Sequence, residues 1–91
     1  MIKITPAAES VILEVLDKPE IKDVYCLRIG LAGGACTSKY VFGFDKKTNN
    51  DQLFIVNNIP IIIENKHLMF LINKTIDYIT DDSGSYFGLI D

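Results

Sequence analysis

Nowhere in these 91 residues does an apolar run approach the ~20 needed to cross a membrane. The N-terminus lacks the basic region and apolar core of a secretory signal. The nine Lys and Arg residues are scattered, with no stripe or run, in a chain of net charge −3. Phosphate binding needs clustered cations, so nucleic acid is excluded as the main partner. Two cysteines are too few for a disulfide framework and fit a reducing, cytoplasmic setting. There are no internal repeats and no low-complexity tract. At this length the expectation is one domain spanning 1–91.

What the chain does have is apolar content, 48% of residues, with a positive mean hydropathy. A domain this small buries only ~60% of its unfolded surface, so it needs a dense core or association between copies. A tightly packed sheet and a homo-oligomer are both expected.

Thr5 followed by Pro6 reads as a helix start, a hydroxyl cap and then a proline where no N–H is required. Ala8, Val11, Ile12, Val15 and Leu16 recur at helical spacing, and Pro19 ends the helix. From Val24 to Leu31 the period becomes two, with Tyr25, Leu27, Ile29 and Leu31 on one face. Tyr40, Phe42 and Phe44 alternate in the next strand, expected as its antiparallel neighbour. Asp45 to Gln52 reads as a solvated turn. Asn57-Asn58 joins two further strands in a tight hairpin with positive φ. Pro60 cannot donate to a ladder, so its strand should have an edge there. The run Ile61-Ile62-Ile63 implies burial on both faces.

Asn65 is expected to cap a short helix over 66–72, with Asn73 left-handed at its end. Leu68, Leu71 and Ile72 form its inner face. Met69 and Phe70 leave this helix little to show to water. Strands over 75–80 and 86–90, joined by the turn Asp81–Gly84, complete the chain. The fold class is α+β: an N-terminal helix packed on mostly antiparallel strands in small mixed sheets, with a short late helix.

The stretch from Arg28 to Asp45 concentrates the candidate chemistry. Its glycines, Gly30, Gly33 and Gly34, match no dinucleotide spacing, and no Gly-Lys-Ser/Thr follows. The loop leads into a strand, so no helix dipole is offered to a phosphate. Cys36 as a nucleophile would need a base. The only histidine, His67, falls in the first turn of the second helix, where it reads as an exposed polar residue. No enzymatic constellation is therefore present. Thiolates suit iron and iron–sulfur clusters, which ordinarily take four. Cys26, inside a strand, reads as a small buried hydrophobe, distant from Cys36. Cys36 is left as the candidate metal ligand, provided that a second copy supplies another.

The loop Gly33-Gly-Ala-Cys-Thr-Ser-Lys-Tyr40, followed by Phe42 and Phe44-Asp45, resembles the signature of the A-type iron–sulfur carriers, the HesB/IscA-like proteins. Their loop typically reads Gly-Gly-Gly-Cys-Ser-Gly-x-x-Tyr before an alternating aromatic strand. Thr5-Pro6-Ala7-Ala8 is similar to the opening of their first helix. Leu68-Met-Phe-Leu-Ile-Asn-Lys-Thr-Ile-Asp-Tyr-Ile79 resembles their Leu-x-Tyr-Leu-x-Gly-x-x-Ile-Asp-Tyr-Val, and Gly84-Ser85-x-Phe87 fits the next strand. The resemblance implies the HesB/IscA-like fold. It also implies an accessory role in iron–sulfur cluster biogenesis, with iron or a cluster as cofactor and assembly or client proteins as partners.

The departures bear on the site. Aligned without gaps from Gly33 to Asp45, the family's loop cysteine falls on Ala35, and Cys36 takes the following serine position. The Cys-Gly-Cys tail that completes the family's ligand set is not reached by Asp91. Two readings stay open: a carrier with Cys36 as surviving ligand, and a protein-interaction domain that keeps the fold without the cluster site.

Overall fold

The computed structural model describes residues 1–33 and 39–90. The elements run in the order β1 (Lys3–Ile4), α1 (Pro6–Leu16), β2 (Cys26–Ala32), β3 (Lys39–Asp45), β4 (Asp51–Val56), β5 (Ile59–Glu64), α2 (Leu68–Leu71), β6 (Thr75–Asp81) and β7 (Gly84–Ile90). A four-stranded sheet has the order β3-β2-β5-β4, and a three-stranded sheet the order β1-β6-β7. Both are mixed: β2 runs parallel to β5 and β1 parallel to β6, while the other pairs are antiparallel. This is the α+β class expected from the sequence.

Helix α1 starts as its sequence requires. The Thr5 Oγ1 accepts from the Ala8 N–H at 3.3 Å, and Pro6 occupies the first turn. The same hydroxyl donates to Asp77 Oδ1 on β6 at 2.7 Å, so one side chain fixes both the helix start and its place on the small sheet. Thr5→Ala removes both bonds and is expected to cost about 1–2 kcal/mol in urea unfolding. Thr5→Ser should recover most of that loss.

The helix buries Ala8, Ile12 and Leu16 against Leu27 and Ile29 of β2, Ile59, Ile61 and Ile63 of β5, Leu71 and Ile76. Phe87 joins the two sheets, with its ring 5.6 Å from Phe42 and 5.0 Å from Tyr78 between centroids. The hairpin between β4 and β5 turns at Asn57 and Asn58, at φ 52° and 66°, as the Asn-Asn pair predicts.

Several expectations are corrected. The strand carrying Pro60 lies inside its sheet, between β2 and β4. Pro60 is tolerated because the β2 ladder begins one residue later, at Ile61, leaving no donor to be supplied there. Asn65 makes no side-chain cap. It opens a 3₁₀ turn (Asn65–His67) that leads into the four-residue α2. Asn73 is not among the residues with positive φ. Met69 and Phe70 are exposed, at 80% and 58%, because α2 is a single turn with only Leu71 fully buried beneath it. Asp51, assigned to a solvated turn, instead begins β4 and is 4% exposed.

Candidate metal centre

The glycine-rich loop is gripped from both sides by one antiparallel ladder, which runs unbroken from Cys26↔Asp45 to Ala32↔Lys39. Gly33 leaves the ladder at φ 95°, a left-handed conformation that favours glycine. Cys36, the predicted ligand, lies outside the described residues, as do its neighbours from 34 to 38.

The structure brings His67 to the base of this loop, contrary to its expected exposure. The parallel ladder between β2 and β5 ends at Ile29↔Ile63, after which β5 gives way to the 3₁₀ turn. His67 Nδ1 accepts the Leu31 N–H at 3.4 Å, supplying an acceptor beyond the end of β5. A Cβ at Gly30 would stand 3.5 Å from both His67 Nδ1 and Val41 Cγ2, an ordinary contact distance, so the imidazole lies directly over this position of β2. Sequence spacing hides this contact, which is made across 36 residues by the end of a neighbouring strand. Tyr40, paired with Leu31, is 43% exposed at the start of β3.

Cys26 is at the other end of β2, opposite Asp45, six residues from Ala32 and so ~20 Å away at ~3.3 Å per residue. It opens the strand, half-buried. It faces a groove of about 310 Å³ walled by Leu16, Val24, Tyr25 and Pro60. Burial pushes its thiol pKa up, and the nearby Arg28 charge opposes this. A raised thiol pKa lowers the thiolate fraction that a metal needs.

The strongest polar cluster in the described structure also lies on β2. Arg28 makes a fork to Asp51, Nη1 to Oδ1 and Nη2 to Oδ2, both at 2.7 Å. Its Nε donates to Asp45 Oδ2 at 2.9 Å. Thr48 adds its N–H and Oγ1, at 2.8 and 3.1 Å, to Asp51 Oδ2. The fork crosses β5, and Ile62, level with Arg28 in register, is fully buried. Arg28 and the Thr48 donors hold the Asp51 carboxyl well below the usual carboxylate range, against the opposing effect of its burial. Asp45 is lowered by the Lys46 N–H and then by Arg28. An arginine inside an apolar strand was the sequence signal for this network, and its partner was concealed in the polar segment before β4.

This cluster is an ion pair rather than a cation site, since its carboxylates already face a guanidinium. Among the described residues no three His, Cys, Asp or Glu side chains gather to hold a metal ion. His67 has its Nδ1 engaged by the Leu31 backbone N–H. A metal ion with three or more such ligands would therefore need some of them from outside the described residues.

The family model for iron–sulphur cluster biosynthesis matches residues 1–89. The chain belongs to the iron–sulphur cluster biosynthesis family. Within that family it is 33% identical over 91 residues to the iron–sulfur cluster insertion protein ErpA of Pseudoalteromonas translucida, covering 94% of this chain and 78% of that protein. It is 36% identical over 78 residues to ErpA of Glaesserella parasuis, covering 84% of this chain and 66% of that protein. Its fold is similar to that in the crystal structure of IscA with the 2Fe–2S cluster, with TM-score 0.78, 25% identity, and coverage of 100% of this chain and 85% of that one. The Escherichia coli SufA structure shares the fold at TM-score 0.77 and 21% identity, covering 98% of this chain and 78% of that one. The A-type carrier resemblance is thereby borne out, and the role of the chain lies in iron–sulfur cluster biogenesis.

Proposed function

We propose that this chain is a non-catalytic carrier whose cargo is iron or an iron–sulfur cluster, with Cys36 as its own thiolate ligand. The reading is carried by the family match over residues 1–89, which includes the loop that bears this cysteine. One chain supplies one loop thiolate, whereas a cluster ordinarily takes four. The carrier therefore works as a homo-oligomer, with the remaining ligands coming from assembly or client proteins. It acts in the cytoplasm as a single domain spanning 1–91. Among the described residues, no helix is long and apolar enough to cross a membrane.

The place of Cys36, one residue beyond the family's loop cysteine position at Ala35, favours a second reading, an interaction domain that keeps the carrier fold without metal. Anaerobic reconstitution with iron and sulfide separates the two. The carrier reading expects wild type and Cys26→Ser to retain iron and visible absorption after desalting, and Cys36→Ser to lose most of both. Wild type emerging colourless and iron-free, with native circular dichroism, would leave the interaction reading in place. Loss of binding in Cys26→Ser alone would move the site to the other end of β2.

A further inference from the structure

Strand β2 outruns one of its two neighbours. Its ladder with β5 stops at Ile29↔Ile63, whereas its ladder with β3 continues to Ala32↔Lys39. Residues 30–32 therefore belong to the end of a two-stranded ribbon, an arrangement that is marginal without a third support. The loop leaves this end at Gly33 and returns to it at Lys39. The Leu31 side chain packs on the core, and its N–H, beyond the last β5 pair, donates to His67 Nδ1 at 3.4 Å.

His67 is itself anchored. The 3₁₀ turn that carries it follows β5 directly, and its Asn65 N–H donates to the Asn50 carbonyl at 2.8 Å. The turn then runs into α2, whose Leu71 is fully buried. The bond to Leu31 also fixes the state of the ring. A backbone N–H can only donate, so Nδ1 carries a lone pair and the neutral ring has its proton on Nε2. A histidine that ligates a metal instead donates its other ring N–H. Ligation through Nε2 here would strip the ring to an imidazolate, so His67 is placed to hold the strand rather than to bind metal. It stands just before the family-like stretch Leu68–Ile79, whose motif gives it no role.

We propose that His67 is a positioning residue for the cargo loop: its neutral imidazole takes the place of a third strand and holds the end of the β2–β3 hairpin from which the loop bearing Cys36 departs. The proposal rests on the carrier reading above, and its test separates the two.

Hydrogen exchange of the Leu31 amide in the cargo-free protein reads the hold, with the Leu27 amide as control. His67→Ala should lower Leu31 protection roughly three- to ten-fold, the range set by one net hydrogen bond, and leave Leu27 unchanged. His67→Asn should restore it, because its Oδ1 can accept in place of Nδ1 and does not titrate. Acidifying wild type from about pH 8 to about pH 5.5 protonates the ring and should cost Leu31 the same protection. The charged groups of the segments around the ring are Arg28 on β2, Lys39 and Asp45 on β3, and Glu64 and Lys66, which pair at 3.4 Å. All are kept in His67→Asn, so an acid loss confined to wild type belongs to the imidazole. Should His67→Ala not fold, this pH comparison decides the same point. In reconstituted protein at about pH 8, iron release to a chelator should quicken by a similar factor in His67→Ala and return to the wild-type rate in His67→Asn.

Equal Leu31 protection in wild type and folded His67→Ala, or equal acid loss in wild type and His67→Asn, would overturn the hold. Altered protection with unaltered iron release would overturn the positioning role. Wild type that retains no iron would overturn the carrier reading and the positioning role with it, while Leu31 exchange, which needs no iron, would still decide the hold.

Discussion

Asp51→Asn is expected to destabilise the fold by about 3 kcal/mol in denaturant unfolding at neutral pH, the low end for breaking a buried charge pair. The low end applies because Arg28 keeps its bond to Asp45 and its side chain is 25% exposed. The same variant should change the acid limb. A carboxyl whose folded pKa is depressed adds stability that is fully present well above its unfolded value of about 4. That stability drains as pH falls through and below that value toward the folded pKa. Wild type should therefore lose stability steeply below about pH 5, and Asp51→Asn should lose less over the same interval. Equal acid slopes for the two proteins would show that Asp51 does not carry the linkage. The change should also raise the exposure of Ile62, detectable as faster exchange of its amide.

Ile61→Ala should cost about 4 kcal/mol, among the largest effects available to a single substitution here. Ile61 is fully buried, with β2 on one side of its strand and β4 on the other, and its side chain points to α1 and the central core. Neighbours held by two ladders cannot collapse into the space, so the cavity contribution is retained along with the lost transfer energy. For a domain of this size such a loss lowers the melting temperature by about 15–30 °C. Ile61→Val should cost only about 1 kcal/mol. A small effect of the alanine variant in calorimetry would mean that the sheet can close over the gap.

The parts of the fold legible in the sequence are those whose cause is local. Thr5-Pro6 sets the start of α1, the Asn57-Asn58 pair sets its hairpin, and alternation sets β2 and β3, because each signal acts within a few residues. What the sequence concealed depends on crossings. Pro60 reads as an edge residue until β2 is seen to join β5 one residue later. Asp51 reads as solvated until Arg28 reaches over β5 to it. His67 reads as exposed until the end of β5 leaves the Leu31 N–H in need of an acceptor. The candidate site divides in the same way. Its glycines and aromatics identified the family, whereas the groups at its base are brought together only by the sheet.

The pairing of β1 with β6 has a kinetic consequence. Thr5 meets Asp77 across 72 residues of chain, and Ala8 and Ile12, which follow it, join a core that includes Ile76. During synthesis at 5–20 residues per second, the first helix waits roughly 4–14 s for the strand that receives its cap. Throughout that interval its apolar stripe has no completed core to enter. Contacts this distant in sequence make for slow closure. The newborn chain is therefore most open to capture by chaperones, or by other unfinished copies, before β6 emerges.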